Sequence, residues 1–292
     1  MTVLVTGGTG LTGSYVVAEL LRHGHAVRVL CRDAAKCPAG AEAVLGDLGD
    51  VESLARATRE TSAIVHAAVT LTDSAIDLAA MRALLAGWTR GPFVFISSLD
   101  VYGLASGSIT ESSPLSESYG DYALGKVLCE RLLFEVAAQR GRRDVVALRA
   151  PYIWGPHPTA KRRLLVPRLL DGQPIVLPGT TPDEWSQYRD AWIDVRDVAA
   201  IVVASIAKPF GGPLNVLAGH YVWHDLFAEL IRLTGSRSVL IHRALADISD
   251  DELAKKEMYA QRWDFSAARL REHLGNLVRY SFETSLRETV TC

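Results

Sequence analysis

Tyr122 and Lys126 have side chains and a spacing that could carry out proton transfer. Their separation of four residues places both on the same face of a helix. The phenol of a free tyrosine has a pKa of about 10, and a nearby positive charge lowers that pKa by favouring the phenolate. A tyrosine tuned in this way can exchange a proton with a carbonyl or alcohol oxygen. The same spacing also occurs on solvated helix faces, so the rest of the chain must decide.

The glycine-rich segment at residues 6–13 predicts a dinucleotide-binding turn. Its sequence is Thr-Gly-Gly-Thr-Gly-Leu-Thr-Gly, and it lies between a predicted strand at 3–5 and a predicted helix at 13–23. Glycines let the backbone turn tightly and approach a pyrophosphate, which the positive helix N-terminus then stabilises. The cofactor contacts that we predict in this turn are Gly7, Thr9, Gly10, Leu11, Thr12 and Gly13.

The end of the second predicted strand indicates which dinucleotide binds. An acidic residue there usually accepts a hydrogen bond from the ribose 2′-hydroxyl of NAD. Here Arg32, assisted by Lys36, suits a 2′-phosphate instead. We therefore predict NADP, with NAD less favoured, because Asp33 could accept from the ribose if the strand were one residue longer. Asp47 and Leu48 follow the third strand, where Asp47 either contacts the adenine edge or serves as a helix cap or turn residue.

The composition is that of an ordinary globular protein. Of its 292 residues 49% are hydrophobic and 22% charged, and the formal net charge is −2. This balance gives no electrostatic case for binding nucleic acid or an anionic membrane. The four cysteines lack metal-ligand spacing, which favours free thiols in a reducing compartment and predicts no metal site. The chain opens on a predicted strand and contains no bilayer-length apolar run, so we expect a cytoplasmic protein.

Short apolar runs alternate with helical patterns in the first half of the chain. This order predicts an α/β fold, a doubly wound parallel sheet of the Rossmann type. A predicted helix at about 119–139 carries the Tyr–Lys pair, and seven prolines then crowd residues 151–182. Beyond them a helix and a strand should return to the sheet. We expect a dinucleotide-binding domain formed by residues 1–155 plus about 192–217. The remaining residues, about 156–191 plus 218–292, should form a smaller, discontinuous C-terminal substrate lobe.

Together these motifs resemble the extended short-chain dehydrogenase/reductase family, the group that contains the NAD-dependent epimerases and dehydratases. The resemblance covers the whole chain, and several independent motifs occur in the order that the family shows. The segments that carry it are residues 6–13, 47–48, 66–68, 96–103, 122–126, 148–156, 193–197 and 264–269.

The resemblance implies a catalytic triad in which a serine joins the Tyr–Lys pair. Tyr122 matches the acid/base of the family, and Lys126 matches the lysine that holds the nicotinamide ribose. Ser98 matches the serine that hydrogen-bonds the substrate oxygen, with the adjacent Ser97 as the alternative. A dimer through two helices is common in the family, so a homodimer is also expected. Further matching cofactor contacts are Ala67, Ala68 and Pro151.

The substrate region departs from the family members that act on sugar nucleotides. Those members carry an asparagine just after the sixth strand, and residues 149–154 contain none. They also carry an arginine at the position of Asp190, although Arg189 lies one residue away. The substrate contacts that we predict are Ser98, Tyr152, Trp154 and Arg189. Other candidates, any of which could instead pack the lobe, are His157, Arg162, Arg163, Trp185 and Tyr188.

Three functions remain open at the level of the sequence. The first is an NADP-dependent oxidoreductase that interconverts a ketone and a secondary alcohol on a small or medium-sized metabolite, with Tyr122 as acid/base. The second is a sugar-nucleotide epimerase or dehydratase that retains its dinucleotide through each cycle. The third is a dinucleotide sensor without catalysis, which the intact Ser98, Tyr122 and Lys126 disfavour.

Overall fold

The computed structural model describes the backbone of residues 1–292 and all side chains except those of Arg163 and Leu164. Its strands, in chain order, are β1 (Thr2–Thr6), β2 (Ala26–Cys31), β3 (Glu42–Leu45), β4 (Ala63–His66), β5 (Phe93–Ser98), β6 (Gly107–Ile109), β7 (Val145–Ala150), β8 (Tyr152–Trp154), β9 (Ile175–Pro178), β10 (Arg189–Asp194), β11 (Gly212–Asn215), β12 (Gly219–Val222), β13 (Leu240–Arg243) and β14 (Trp263–Phe265). Its α-helices are α1 (Leu11–Arg22), α2 (Val51–Ala57), α3 (Ser74–Gly87), α4 (Asp121–Gln139), α5 (Pro158–Leu164), α6 (Pro167–Leu170), α7 (Pro182–Trp185), α8 (Val195–Ala207), α9 (Trp223–Thr234), α10 (Lys256–Tyr259), α11 (Ala268–Leu274) and α12 (Phe282–Thr291).

One large parallel sheet has the strand order β11-β7-β5-β4-β1-β2-β3. From β1 the chain moves outward through β2 and β3, and it then returns to build the other half from β4 to β11. The direction of winding therefore reverses between β1 and β4, the place where such sheets bind ligands at the carboxyl ends of their strands. The predicted doubly wound parallel sheet is confirmed.

Helices cover both faces of this sheet, and β1 shows how a continuous apolar run supplies buried side chains to both faces. Val3 and Val5 belong to the cluster that packs against α1 and α8, whereas Leu4 belongs to the cluster beneath α2, α3 and α4. Successive strand residues point to opposite faces, so a strand covered on both sides needs a continuous apolar run. The returning elements α8 and β11 complete this arrangement, with β11 paired to β7.

The helix with the Tyr–Lys pair begins two residues later than the sequence predicts. Gly120 precedes α4 with a φ of +105°, a backbone conformation that glycine tolerates and other residues rarely adopt. The turn of helix that carries Tyr122 thus starts immediately after this glycine and is not frayed by a longer N-terminal extension.

Three smaller sheets lie outside the central one. β10 pairs with β8 in parallel and with β12 in antiparallel, while β9 pairs with β13 and β6 with β14. An aromatic cluster around Trp154 and Trp192 joins the three-stranded sheet to α9 and α12. The division of the chain into two domains stays a prediction. In the part of the chain that the structure describes, every helix is too short or too polar to span a bilayer.

Candidate active site

The turn between β1 and α1 requires glycine at two positions. Gly7 has a φ of +72°, and a Cβ there would lie 2.7 Å from the backbone nitrogen of Ala68. A Cβ on Gly13 would lie 2.0 Å from the carbonyl oxygen of Gly7. Gly10 closes the turn, because its N–H donates to the same carbonyl oxygen at 3.0 Å. The glycine pattern therefore lets α1 start directly against the end of β1.

The first turn of α1 has the properties of an anion site. Gly10 is the N-cap and offers no side chain to the backbone N–H groups behind it. Thr9 is exposed and Thr12 half-buried, so the turn is open, while Leu11 packs inward in a small buried cluster. Uncapped N–H groups and the positive end of the helix dipole favour a negative ligand. This cradle fits the pyrophosphate of a dinucleotide.

Arg32 lies at the end of β2 with 84% of its side chain exposed, and its Nε is 3.9 Å from Oδ2 of Asp47. An ion pair this exposed is weak, so the guanidinium can turn towards a phosphate at little cost. Asp33 points elsewhere, since its carboxylate accepts the N–H of Ala35 at 2.9 Å. Lys36 lies in the same exposed turn. The end of β2 therefore offers the positive charges of Arg32 and Lys36 to a ligand. The carboxylate of Asp33, which could have favoured NAD, is already hydrogen-bonded to a backbone N–H.

Asp47 belongs to a turn and does not cap the following helix. Its Oδ1 accepts the N–H of Gly49 at 2.9 Å, whereas Asp50 caps α2 by accepting from two backbone N–H groups. Leu48 packs against the buried cluster on the α2 side of the sheet. The second oxygen of Asp47 faces Arg32, which places the two predicted cofactor residues side by side.

Ala67 and Ala68 form the wall opposite the glycine turn. The N–H of Ala67 donates to the carbonyl of Thr6 at 3.2 Å, and the N–H of Ala68 donates to the Thr6 hydroxyl at 3.3 Å. That hydroxyl also contacts Nδ1 of His66 at 2.7 Å. Burial lowers the pKa of His66 to about 3, so the ring stays neutral. His66 therefore holds the Thr6 hydroxyl in place, and that hydroxyl in turn positions the backbone of Ala68.

The structure distinguishes the two adjacent serines. Ser97 donates its hydroxyl to Oε1 of Glu130 at 2.5 Å inside the core. Ser98, the last residue of β5, accepts the N–H of Asp100 at 3.1 Å. Because neighbouring strand residues point to opposite faces, only one of the two can reach the cleft. The geometry favours Ser98, since the hydroxyl of Ser97 is already engaged.

Lys126 is buried between β5 and the ring of Tyr122, and its place near Tyr122 agrees with the helical spacing. Its ammonium donates to the carbonyl of Ile96 at 2.7 Å and lies 5.6 Å from the centroid of the Tyr122 ring. It also lies 4.8 Å from the centroid of Phe95. Burial lowers the pKa of Lys126 to about 8. The structure thus places Lys126 against both Tyr122 and β5, whereas the triad with Ser98 stays a prediction.

A buried ion pair holds α4 against the sheet behind the triad. Glu130 lies one turn beyond Lys126, and its two carboxylate oxygens accept from Nε and Nη2 of Arg149 at 3.0 and 2.7 Å. Arg149 also donates to the hydroxyl of Tyr102 at 2.6 Å. Bidentate pairing of this kind fixes orientation as well as distance. The pair therefore sets the position of the helix that carries Tyr122 and Lys126.

Two carboxyl groups lie on the substrate side of the triad. Asp100 is beside Ser98, and burial raises its pKa, opposed by the charges of Lys255 and Lys126. Asp190, on β10, is 7% exposed, and burial raises its pKa to about 8. The sequence did not identify either as a site residue. Asp100 could have been found from its place two residues after Ser98, whereas Lys255 has no sequence signal.

Among the predicted substrate residues, Ser98 contacts Asp100 and Tyr152 approaches Asp190. The charge of Asp190 reaches the phenol of Tyr152, whose pKa is raised well above 10 chiefly by burial. Trp154 is 1% exposed and stacks on Trp192 inside the aromatic cluster, with 5.5 Å between the ring centroids. Arg189 points to the opposite face of β10 from Asp190, with Nη2 3.6 Å from Oδ2 of Asp264. The predicted substrate contacts of Trp154 and Arg189 gain no support from this geometry.

The remaining candidates are distributed around the lobe. Pro151 links β7 to β8, at the edge of the cleft. His157 accepts the N–H of Thr159 at 3.1 Å as the cap of α5, and Trp185 stacks on His224 at 4.0 Å. Tyr188 donates its hydroxyl to Glu184 at 2.8 Å. The side chain of Arg163 lies outside the described residues.

Comparison with known proteins gives relatives of several activities. The chain is 32% identical over 203 residues to a 3 beta-hydroxysteroid dehydrogenase/Delta 5-->4-isomerase of Mycobacterium tuberculosis, covering 61% of this chain and 54% of the relative. It is 26% identical over 175 residues to a sterol-4-alpha-carboxylate 3-dehydrogenase, decarboxylating, of Dictyostelium discoideum, covering 52% and 53%. The chain thus spans about half the length of the curated relatives that it matches.

The fold and the family are shown by two further comparisons. A crystal structure of UDP-glucose 4-epimerase with UDP-glucose from Thermotoga maritima superposes with a TM-score of 0.81 at 20% identity, covering 100% of this chain and 98% of that one. The model of the NAD dependent epimerase/dehydratase family matches residues 3–218. The chain therefore belongs to the NAD dependent epimerase/dehydratase family, and it is an enzyme of the extended short-chain dehydrogenase/reductase type that its motifs resemble.

Proposed function

We propose that this chain is an NADP-dependent oxidoreductase that interconverts a ketone and a secondary alcohol on a small or medium-sized metabolite. The observation that carries this proposal is the position of the Lys126 ammonium, which lies 5.6 Å from the centroid of the Tyr122 ring and donates to the carbonyl of Ile96, two residues before Ser98 on β5. The glycine turn that fits a pyrophosphate lies after β1 in the same sheet. A proton donor, a hydrogen-bond donor and a dinucleotide cradle are the parts that such a reaction needs.

The residues of the chain supply proton transfer and orientation. A bound nicotinamide cofactor supplies or accepts the hydride. In the reducing direction, Tyr122 gives its proton to the carbonyl oxygen as negative charge develops there, and Ser98 donates a second hydrogen bond to the same oxygen. Lys126 lowers the pKa of the tyrosine and holds the nicotinamide ribose. Solvent then returns a proton to Tyr122, and oxidation of the alcohol runs through the same steps in reverse.

Arg32 supports the choice of NADP. It is exposed and weakly paired, whereas the carboxylate of Asp33 accepts a backbone N–H. A charge-assisted hydrogen bond between a guanidinium and a phosphate contributes about 1.5–3 kcal/mol, which corresponds to about 10- to 100-fold in affinity. This is large enough to decide between two cofactors that differ only in that phosphate.

Replacing Arg32 tests the cofactor preference. We expect Arg32→Ala to weaken NADPH binding by about 10- to 100-fold, because the 2′-phosphate loses its partner, and to change NADH binding by less than about twofold. Titration of both cofactors by fluorescence or calorimetry measures this. Arg22→Ala is the matched control, since Arg22 is an exposed arginine paired with Glu19 on α1. Tighter binding of NADH than NADPH by the unaltered protein would overturn the assignment.

A second candidate function is a sugar-nucleotide epimerase or dehydratase. The fold match to UDP-glucose 4-epimerase favours it. Against it stands Asp190, a buried carboxyl at the position where the resemblance expects an arginine for the substrate phosphates. An enzyme of this second kind would retain its dinucleotide through purification and would show no net consumption of added NADPH. The reductase that we propose would consume NADPH in proportion to the alcohol formed.

The other expectations from the sequence join this proposal. We infer that the protein works in the cytoplasm, that it forms a homodimer, and that its substrate is a small molecule with no part for nucleic acid. The net charge of −2 supports the last of these. Light scattering on the purified protein would decide between monomer and dimer.

A further inference from the structure

Asp190 is a buried carboxyl on β10 that pairs with no cation among the side chains that the structure describes. It is 7% exposed, and its one hydrogen bond among the described residues is from the N–H of Ala191 to Oδ1, at 2.6 Å. The described side chains form no ion pair with it. Asp100 differs, because Lys255 and Lys126 both act on its charge. Among the described residues, Asp190 is therefore the one of these two carboxyls whose charge no neighbouring cation balances.

Aromatic rings surround this carboxyl. Tyr221 lies directly opposite Asp190 in the β10–β12 ladder and so shares its face of the sheet. The ring centroid of Trp223 lies 5.0 Å from that of Tyr221, 4.4 Å from that of Tyr259 and 6.2 Å from that of Tyr152. The charge of Asp190 also raises the pKa values of the phenols of four tyrosines: Tyr119, Tyr152, Tyr221 and Tyr259.

The cleft connects this group to the triad. The hydroxyl of Ser98 contacts Asp100, and the charge of Asp100 in turn raises the pKa of Asp190. The two carboxyls are therefore close enough for their charges to interact, and Asp190 stands at the position where the resemblance expects an arginine for the substrate. A substrate held at Ser98 and Tyr122 would extend its far end towards Asp190.

A carboxyl walled by aromatic rings favours one class of ligand. Burial keeps Asp190 in its protonated form because the charged form is costly without a partner, and a substrate cation would let it ionise by supplying that partner. Ammonium groups are also attracted to the faces of tyrosine and tryptophan rings. An anion would gain no such partner, since no described cation lies against Asp190. We propose that the substrate carries an amine, and that Asp190 with the surrounding tyrosines binds it as an ammonium.

This inference rests on the proposed function only in placing the substrate in the cleft, and a binding experiment separates the two. Burial holds the pKa of Asp190 at about 8, so at pH 7 about nine-tenths of the free protein carries a proton there. An ammonium ligand would displace that proton, whereas a neutral ligand that accepts a hydrogen bond from the carboxyl would leave it in place. The number of protons released on binding therefore distinguishes a cationic from a neutral ligand.

The experiment compares three ligands of one shape on the full-length protein: cyclohexylammonium, cyclohexanol and cyclohexanecarboxylate. Calorimetry at pH 7 in buffers of different ionisation enthalpy gives both affinity and proton release. We expect cyclohexylammonium to bind at least about tenfold more tightly than the other two, as a charge-assisted hydrogen bond requires, and to release about 0.9 proton. Asp190→Asn, which keeps shape and removes charge, should abolish both the preference and the proton release.

Asp225→Asn is the matched control, because Asp225 is an exposed carboxyl of the same lobe on α9. It should change neither the affinity nor the proton release. The proposal is overturned if no amine binds, if cyclohexanol binds as tightly as cyclohexylammonium, if the carboxylate is preferred, or if Asp190→Asn binds the amine as well as the unaltered protein. None of these outcomes depends on hydride transfer, so failure here and failure of the oxidoreductase proposal are distinguishable.

Discussion

The surroundings of Lys126 determine the pKa of its side chain and therefore its charge at neutral pH. Burial lowers its pKa to about 8, while the carboxyls of Asp77, Glu130 and Asp100 act in the opposite direction. The ammonium therefore keeps its proton at neutral pH although it lies in the interior and donates to a backbone carbonyl. A cation in this position can favour the phenolate of Tyr122, which is the property that the Tyr–Lys spacing suggested.

Asp190 should make the protein less stable as pH rises. A carboxyl in the unfolded chain loses its proton near pH 4, whereas burial keeps the folded one protonated up to about pH 8. Between these values the folded state binds the extra proton, so the free energy of unfolding falls as pH increases. Asp190→Asn removes this dependence. We expect its stability relative to the unaltered protein to increase by about 2 kcal/mol between pH 6 and pH 8.

Urea unfolding at the two pH values measures this effect, and the difference between the proteins is the quantity of interest. Asp225→Asn, an exposed carboxyl, should show the same stability difference at both values. An Asp190→Asn protein whose advantage stayed constant from pH 6 to pH 8 would mean that Asp190 ionises normally in the folded state. The ammonium proposal would then lose its physical basis.

The glycine turn can be tested at the level of the element. Gly13→Ala would place a Cβ 2.0 Å from the carbonyl oxygen of Gly7, and overpacking of this kind costs about 1–3 kcal/mol. The helix propensity gained from alanine, about 1 kcal/mol, offsets only part of that cost. Gly10→Ala is the matched variant, because a Cβ there would lie 3.4 Å from the same oxygen and the φ of −93° suits any residue.

We expect the two variants to separate stability from cofactor binding. Gly13→Ala should lower the free energy of unfolding by up to about 2 kcal/mol, the overpacking cost less the gain in helix propensity, and should lose NADPH binding with the shape of the turn. Gly10→Ala should keep its stability within about 1 kcal/mol but bind NADPH about tenfold more weakly, since the added methyl group blocks the approach of the pyrophosphate. Urea unfolding and cofactor titration measure the pair. Equal NADPH affinity in all three proteins would show that this turn does not hold the cofactor.

The elements that the sequence predicted well are those with local causes. The apolar run of β1, the glycines at 7 and 13 and the four-residue Tyr–Lys spacing act over a few residues, and the structure has each in the predicted place. The choice between Ser97 and Ser98 needed a contact between residues that are far apart in the sequence. It depends on Glu130, which lies 33 residues further along the chain and accepts the hydroxyl of Ser97.

The substrate pocket could not be predicted for a related reason. Its carboxyls and rings come from the turn after β5, from β8, β10 and β12, and from α10, which are far apart in sequence. No periodicity links Asp190 to Tyr259, although both are buried and the charge of Asp190 acts on the phenol of Tyr259. The sequence also could not show that Arg189 and Asp190 point to opposite faces of β10 without the pairing register to β12. Tertiary packing, not local pattern, makes this half of the site.

On the scale of the whole molecule, one sheet carries both halves of the proposed chemistry. The dinucleotide turn follows β1, the triad serine ends β5, and β7 leads through Pro151 into the lobe that contains Asp190. A substrate bound in the lobe would therefore meet the nicotinamide at the carboxyl edge of the sheet. The central claim is that Tyr122 transfers the proton of a ketone reduction there.

The most direct test measures NADPH consumption with a panel of ketones, with and without an amine group, by the unaltered protein and by Tyr122→Phe. Loss of a positioned acid/base costs about 10²- to 10⁴-fold in kcat, so we expect that decrease at an unchanged unfolding midpoint. Tyr280→Phe is the control, because Tyr280 packs under the guanidinium of Arg196 at 3.5 Å, and it should keep the rate within about twofold. Contradiction would come from a Tyr122→Phe protein at full rate, or from an unaltered protein that retains its dinucleotide and consumes no NADPH.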